Sequence, residues 1–153
     1  MPIMHPFKSV SLDTIGNWLN LLLGDSNTSP FPHSADALTK RAENNGCKVT
    51  LTPIEDFEFS IMEWGVEEFK SIIWDSDVHS LQNSTLFFIS DETLETNEGF
   101  ELTLNKLEEF ADYYENNFNM EFFQPSDYII CMKAEMQIRI IHHEGVRIVI
   151  ERN

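Results

Sequence analysis

The chain has 153 residues, with 26 Asp+Glu against 10 Lys+Arg, for a formal net charge of −16. Its 42% apolar and 12% aromatic content is that of a folded domain rather than a disordered segment, and its length suits a single core. So acidic a chain is repelled by nucleic-acid phosphates and anionic lipid, and its longest uninterrupted apolar stretch, Tyr128 to Met132, is far too short to span a bilayer.

The first element predicted is a helix over Leu12 to Leu23, capped by Ser11 and stopped by Gly24, with Leu12, Ile15, Trp18, Leu19, Leu22 and Leu23 on one face. Asp25 to Pro32 reads as a turn-rich loop. Ser34 then caps a short helix that ends at Asn44-Asn45-Gly46. Cys47 to Leu51 alternates like a strand, with Pro53 limiting its extension or marking an edge. Phe57 to Ile61 alternates too, which suggests a hairpin with that strand. Val66 to Trp74 has the period of a helix, and Thr85 to Ser90 is a short apolar run typical of a buried strand.

Leu104 to Phe118 carries the next regular helical face: Leu104, Leu107, Phe110, Ala111, Tyr114 and Phe118, with Thr103 as candidate cap. Phe118, Met120, Phe122 and Phe123 are expected to be core. Three strands follow, Tyr128 to Met132, Met136 to His142 and Val146 to Glu151, the last two joined by a turn at His143-Glu144-Gly145. The expected fold is a single α+β domain, a mainly antiparallel sheet with helices packed on one face. The C-terminal hairpin leaves a candidate free edge.

The charge is concentrated. Glu55 to Asp127 holds 19 acidic and two basic residues, a net −17, and the remainder nets +1. The densest part begins with Asp91, Glu92, Glu95, Glu98 and Glu101, read as a loop. It continues on the helix with Glu108, Glu109, Asp112 and Glu115. Glu108, Asp112 and Glu115 fall on one ridge beside the apolar face, where each like-charged neighbour costs roughly 0.2–0.5 kcal/mol. Glu115 also opposes the helix dipole. Tyr113 projects away from the apolar face, a ring among carboxylates, and aromatic residues of this kind are common interface anchors.

Few residues suggest chemistry. His142-His143-Glu144 is the densest set of potential metal ligands, but neighbouring strand residues point to opposite faces, so convergence needs a bend at the turn. Asp75-Ser76-Asp77 offers a carboxylate pair that reads more simply as a helix-ending loop. There is no Gly-x-Ser-x-Gly elbow and no Gly-rich phosphate loop. Cys47 and Cys131 look like free buried thiols without a basic activator. No catalytic residue, metal or cofactor is expected.

In size, acidity and the Asp91–Glu101 and Glu108–Glu115 carboxylates, the chain resembles the small bacterial immunity proteins of contact-dependent inhibition systems and the nuclease inhibitors. The resemblance implies a non-catalytic inhibitor that binds a basic toxin domain, a nuclease in the leading case, through Asp91, Glu92, Glu95, Glu98, Glu101, Glu108, Glu109, Asp112, Tyr113 and Glu115. The rival classes are a small enzyme with a carboxylate- or His-based site and an acidic DNA-mimic regulator. The Met1–Lys8 start lacks a charged-then-apolar secretory pattern, so a cytoplasmic location is expected.

Overall fold

Ser11 and Gly24 delimit the first helix as their chemistry requires. In a computed structural model, which describes residues 7–24 and 31–152 (the side chain of Ser76 excepted), α1 runs Leu12–Leu23. The Ser11 hydroxyl accepts the Thr14 N–H at 3.2 Å, and Gly24 closes the helix at φ 68°. Before it, β1 (Lys8–Ser11) is a short strand. The sequence readings at residues 1–6 and over most of the Asp25 to Pro32 loop lie outside the described residues. Ser34 caps α2 (Ala35–Asn44) through the Ala37 N–H at 3.1 Å, and β2 (Lys48–Pro53) follows.

Phe57 to Ile61 is not a strand. It forms α3 (Phe57–Ser60) and a 3-10 turn over Ile61–Glu63, because Phe57 and Ile61, four apart, are the buried pair while Phe59 is 80% exposed. α4 (Val66–Trp74) and β3 (Thr85–Ser90) match their expected spans. The acidic stretch read as a loop is instead α5 (Asp91–Glu95) followed by β4 (Glu98–Thr103). Ser90 caps α5 by accepting the Thr93 N–H, while the Thr93 hydroxyl accepts the Ser90 N–H at 2.8 Å. α6 (Leu107–Phe118) is entered through a 3-10 turn at Leu104–Lys106, and Thr103 makes no capping bond. β5 (Tyr128–Met132), β6 (Gln137–His142) and β7 (Val146–Glu151) complete the chain.

All seven strands form one antiparallel sheet in the order β1-β4-β3-β5-β6-β7-β2. The α+β class is therefore as the sequence suggests, but the helices are not confined to one face. Leu86 and Phe88 of β3, and Tyr128, Ile130 and Met132 of β5, pack with α3, α4 and α6. Their alternate neighbours Phe87, Ile89, Ile129 and Cys131 pack with α1 and α2. A strand buried on both faces reads as an unbroken apolar run, which is what β3 and β5 are.

Phe122 is buried, with Phe118, Met120 and Phe123 packed against the same cluster. The Tyr128 hydroxyl fastens this stretch to β5 by donating to the Phe122 carbonyl and accepting the Gln124 N–H at 2.9 Å. Burial pushes that phenol up to about 12.

The free edges also differ from expectation. β7 is covered by β2, so the C-terminal hairpin is internal and the two edges are β1 and β2.

Candidate functional site

The ten carboxylate and tyrosine positions singled out in the sequence do not form one continuous surface. Glu98 lies on β4 in the same alternation as Phe100 and Leu102, which face α6; Glu101 pairs with Phe87 and faces the α1 side. Glu101 is 3.9 Å from both Lys8 and Lys133, and Glu98 accepts a hydrogen bond from the Ser9 hydroxyl. Glu109 pairs with Lys106 at 3.4 Å.

Glu92 has a structural role. Its carboxylate accepts the Tyr114 hydroxyl at 2.5 Å, and that hydroxyl lies 3.0 Å from Ser90 Oγ, so α5 and α6 are tied at the end of β3. Burial and then the Glu92 contact raise the Tyr114 phenol far above its ordinary value.

Tyr113 is not an exposed anchor. Its ring lies 5.5 Å from Phe7, 5.8 Å from Phe100 and 6.3 Å from Phe110 (centroid distances), and it is half-buried on the core. The cause is the residue ahead of β1: Phe7 extends the wall above β4 and gives the flank of α6 something to pack on. Burial, then the Glu98 charge, holds the Tyr113 phenol above its usual range.

Four of the nine carboxylates, those of Glu95, Glu108, Asp112 and Glu115, have no hydrogen bond or ion pair among the described residues. Glu95, Glu108 and Asp112 are exposed, and Glu115 is half-buried. Three of these four are the α6 ridge.

A second group of polar residues gathers at the β6–β7 turn. The His142 and His143 rings stack at 4.2 Å, so the turn does bring them together. His142 Nδ1 accepts the Glu144 N–H at 3.1 Å, which leaves Nε2 to donate to Asp36 Oδ1 at 2.9 Å. Asp127 Oδ1 accepts the His143 backbone N–H at 2.8 Å and lies 2.9 Å from His143 Nδ1.

Asp127, His142 and His143 have potential ligand atoms within 4.8 Å of one another. Both nitrogens of buried His142 are already engaged, so an ion would have to displace Asp36 or the Glu144 N–H. That leaves two disengageable ligands where a closed zinc site needs four. Asp127 and Asp36 carried no signal in the sequence, since each lies far along the chain from its histidine.

Chemically the His143–Asp127 pair is a carboxylate-oriented imidazole, yet no serine, threonine or cysteine is bonded to either ring among the described residues. The Asp127 hydrogen bond raises the His143 pKa. Asp91, whose carboxylate accepts the Asp127 N–H, is also raised, first by loss of solvent around the carboxyl group and then by the Asp127 charge.

A raised histidine stabilises the fold fully below its unfolded value, near 6.5, and that contribution is lost as pH rises through the folded value. Asp127→Asn is therefore expected to return the His143 titration toward the ordinary range in an NMR pH series. The same substitution should flatten the fall in stability above about pH 6.5.

Asp75 and Asp77 are committed to arginines. Asp77 holds Arg139 at 3.0 Å, and Asp75 lies 4.0 Å from Arg147. The same arginines donate to the Ile73 and Ile72 carbonyls at the end of α4, as suits cations at a helix C-terminus. Cys131 is fully buried and Cys47 half-buried; desolvation raises both thiols, which are unpaired.

No protein-family model, curated protein or solved structure matches the chain. No helix among the described residues is long and apolar enough to cross a membrane.

Proposed function

We propose that the chain is a non-catalytic immunity or inhibitor protein that docks a basic toxin domain, a nuclease by preference, on the acidic side of α6. One observation carries this reading. Glu108, Asp112 and Glu115 stand in a row without a compensating cation among the described residues, whereas Glu92, Glu98, Glu101 and Glu109 are locally bonded.

Stability alone disfavours such a row, because neighbouring like charges repel and Glu115 lies against the negative end of the helix dipole. A cationic cleft built to hold nucleic-acid phosphates relieves that repulsion on docking. Ser90, Glu92 and Tyr114 make the platform rigid, so little ordering is lost when a partner binds.

The test is kinetic. Where the gene immediately upstream encodes a large secreted protein that ends in a basic domain, that domain is the binding partner to try. Its association rate should fall steeply as salt is raised from about 50 to about 500 mM, because long-range steering is screened. Complex formation with a flat salt profile, or no complex with that domain, overturns the proposal. The enzyme alternative retains only the His143–Asp127 pair, and His143→Ala is expected to leave partner affinity unchanged.

A further inference from the structure

We infer that the free edge of β2 is a second docking site, which takes an extended basic segment of a partner protein as an eighth strand. This deepens the reading above and rests on it only for the partner's charge.

β2 pairs with β7 on one side and with no strand on the other among the described residues. The hydrogen bond from the Ile54 N–H to the Gly145 carbonyl (2.7 Å) sets the alternation. Thr50, Thr52 and Ile54 turn their backbone groups to β7, and Val49 and Leu51 turn theirs outward. Pro53 falls at an outward position, where its missing N–H costs the sheet nothing. Two donors and three carbonyls thus face a partner.

A cavity lies on each side of this edge. On the α2 side, about 380 Å³ is bounded by Leu51, Val146 and Ile148 with the carboxylates of Asp36, Glu43 and Glu144. On the α3 and α4 side, about 490 Å³ is lined by Ile54, Trp64 and Ile72 among other residues. Successive side chains of an added strand alternate between the two faces. One set would enter a groove with three carboxylates against Lys40, and the other a mixed groove whose indole wall stands with Ile54 and Ile72 among Glu55, Asp75 and Arg147.

Main-chain bonds at an edge supply affinity, and pockets for alternate side chains supply selectivity. The apolar surface agrees: Leu51 (60% exposed) and Met62 (51% exposed), with Phe59, are three of the four large apolar side chains left open among the described residues. Leu51 lies on β2, Phe59 on α3 and Met62 on the 3-10 turn after it, all within the stretch that begins with the edge strand. A second copy is a poor occupant, since two chains of −16 repel. A cationic strand is favoured instead.

The experiment uses the intact protein and an acetylated peptide of about eight residues, alternating Lys and Val, the length of a typical strand. At saturation the Val49 and Leu51 amides should exchange at least about tenfold more slowly, as expected of edge groups that become bonded. Methylating the peptide nitrogens on its bonding edge should weaken binding by about tenfold or more. Glu43→Gln with Glu144→Gln should weaken it too, and neutralising the α6 ridge should not.

Absent protection, equal binding of the methylated peptide, or loss of peptide binding in the ridge variant each overturns the inference. So does concentration-dependent protection of Val49 and Leu51 in protein alone, which would mark a second copy as the occupant. Failure of the ridge to bind a toxin domain leaves these readouts unaltered, so the two readings fail separately.

Discussion

Replacing Glu108 and Glu115 by Gln and Asp112 by Asn is expected to slow association with the basic partner by roughly 10–100-fold while leaving the fold intact. The carboxylates have no partner to lose among the described residues, so their removal breaks no bond in the free protein. Glu108 lies in the first turn of α6, where its charge favours the helix by about 0.3–1 kcal/mol, and Glu115 lies near the end, where it does the reverse. These contributions nearly cancel, and relief of repulsion along the ridge adds a few tenths of a kcal/mol. Stopped-flow rates at low salt, with thermal melts as control, separate steering from unfolding. An association rate within twofold of the wild type, with an unchanged melt, would leave the ridge a solubility feature only.

The legible parts of this molecule were those whose causes are local. α1 has its cap, apolar stripe and stop within one continuous stretch, and the β6–β7 hairpin carries its own glycine. Phe57 to Ile61 misled because alternate aromatic residues mimic a strand, while the pair that reaches the core is Phe57 and Ile61. β4 was hidden by its composition. Glu98, Gly99 and Glu101 look like loop residues, yet Gly99 is needed where a Cβ would come within 2.8 Å of Ile15 Cδ1. The unbroken apolar runs of β3 and β5 are themselves the mark of a sheet covered on both faces.

The candidate site was legible only as charge. Helical spacing picked out the Glu108, Asp112, Glu115 ridge, since all three belong to one helix. It could not tell that Glu92 is held by Tyr114 or that Glu101 lies across the sheet, because both depend on contacts between elements remote in sequence. Helical spacing sets Tyr113 away from the apolar face, whereas the ring packs on the core flank, because Phe7 ahead of β1 and Phe100 of β4 are remote in sequence. The β2 edge was beyond reach without strand order: β2 and β7, nearly a hundred residues apart, are neighbours, and that pairing determines which hairpin is internal.

A large stability loss from a single added methyl group is expected at Gly145. Gly145→Ala must hold a residue with a Cβ at φ 88°, a region that costs an L residue roughly 1–2 kcal/mol. The new carbon would also stand 2.8 Å from Phe57 Cβ and 3.3 Å from Phe57 Cγ, and overpacking of this kind adds about 1–3 kcal/mol. The two cannot relax independently. The Gly145 carbonyl accepts the Ile54 N–H, so a shift of the turn pulls on the end of β2, while a shift of Phe57 opens the ring contact with Trp64 at 5.9 Å. A fall of about 2–5 kcal/mol is expected, a large share of the 5–15 kcal/mol typical of a domain, read as a drop in Tm of roughly 5–15 °C. Gly24→Ala is the matched control: its φ is 68° and its Cβ would meet nothing within 4 Å, so it bears the backbone cost alone. Equal losses at the two glycines would show that Phe57 does not press on the turn. A larger loss at Gly145, with Gly145→Asn intermediate in backbone strain but not in crowding, would place the excess in that contact.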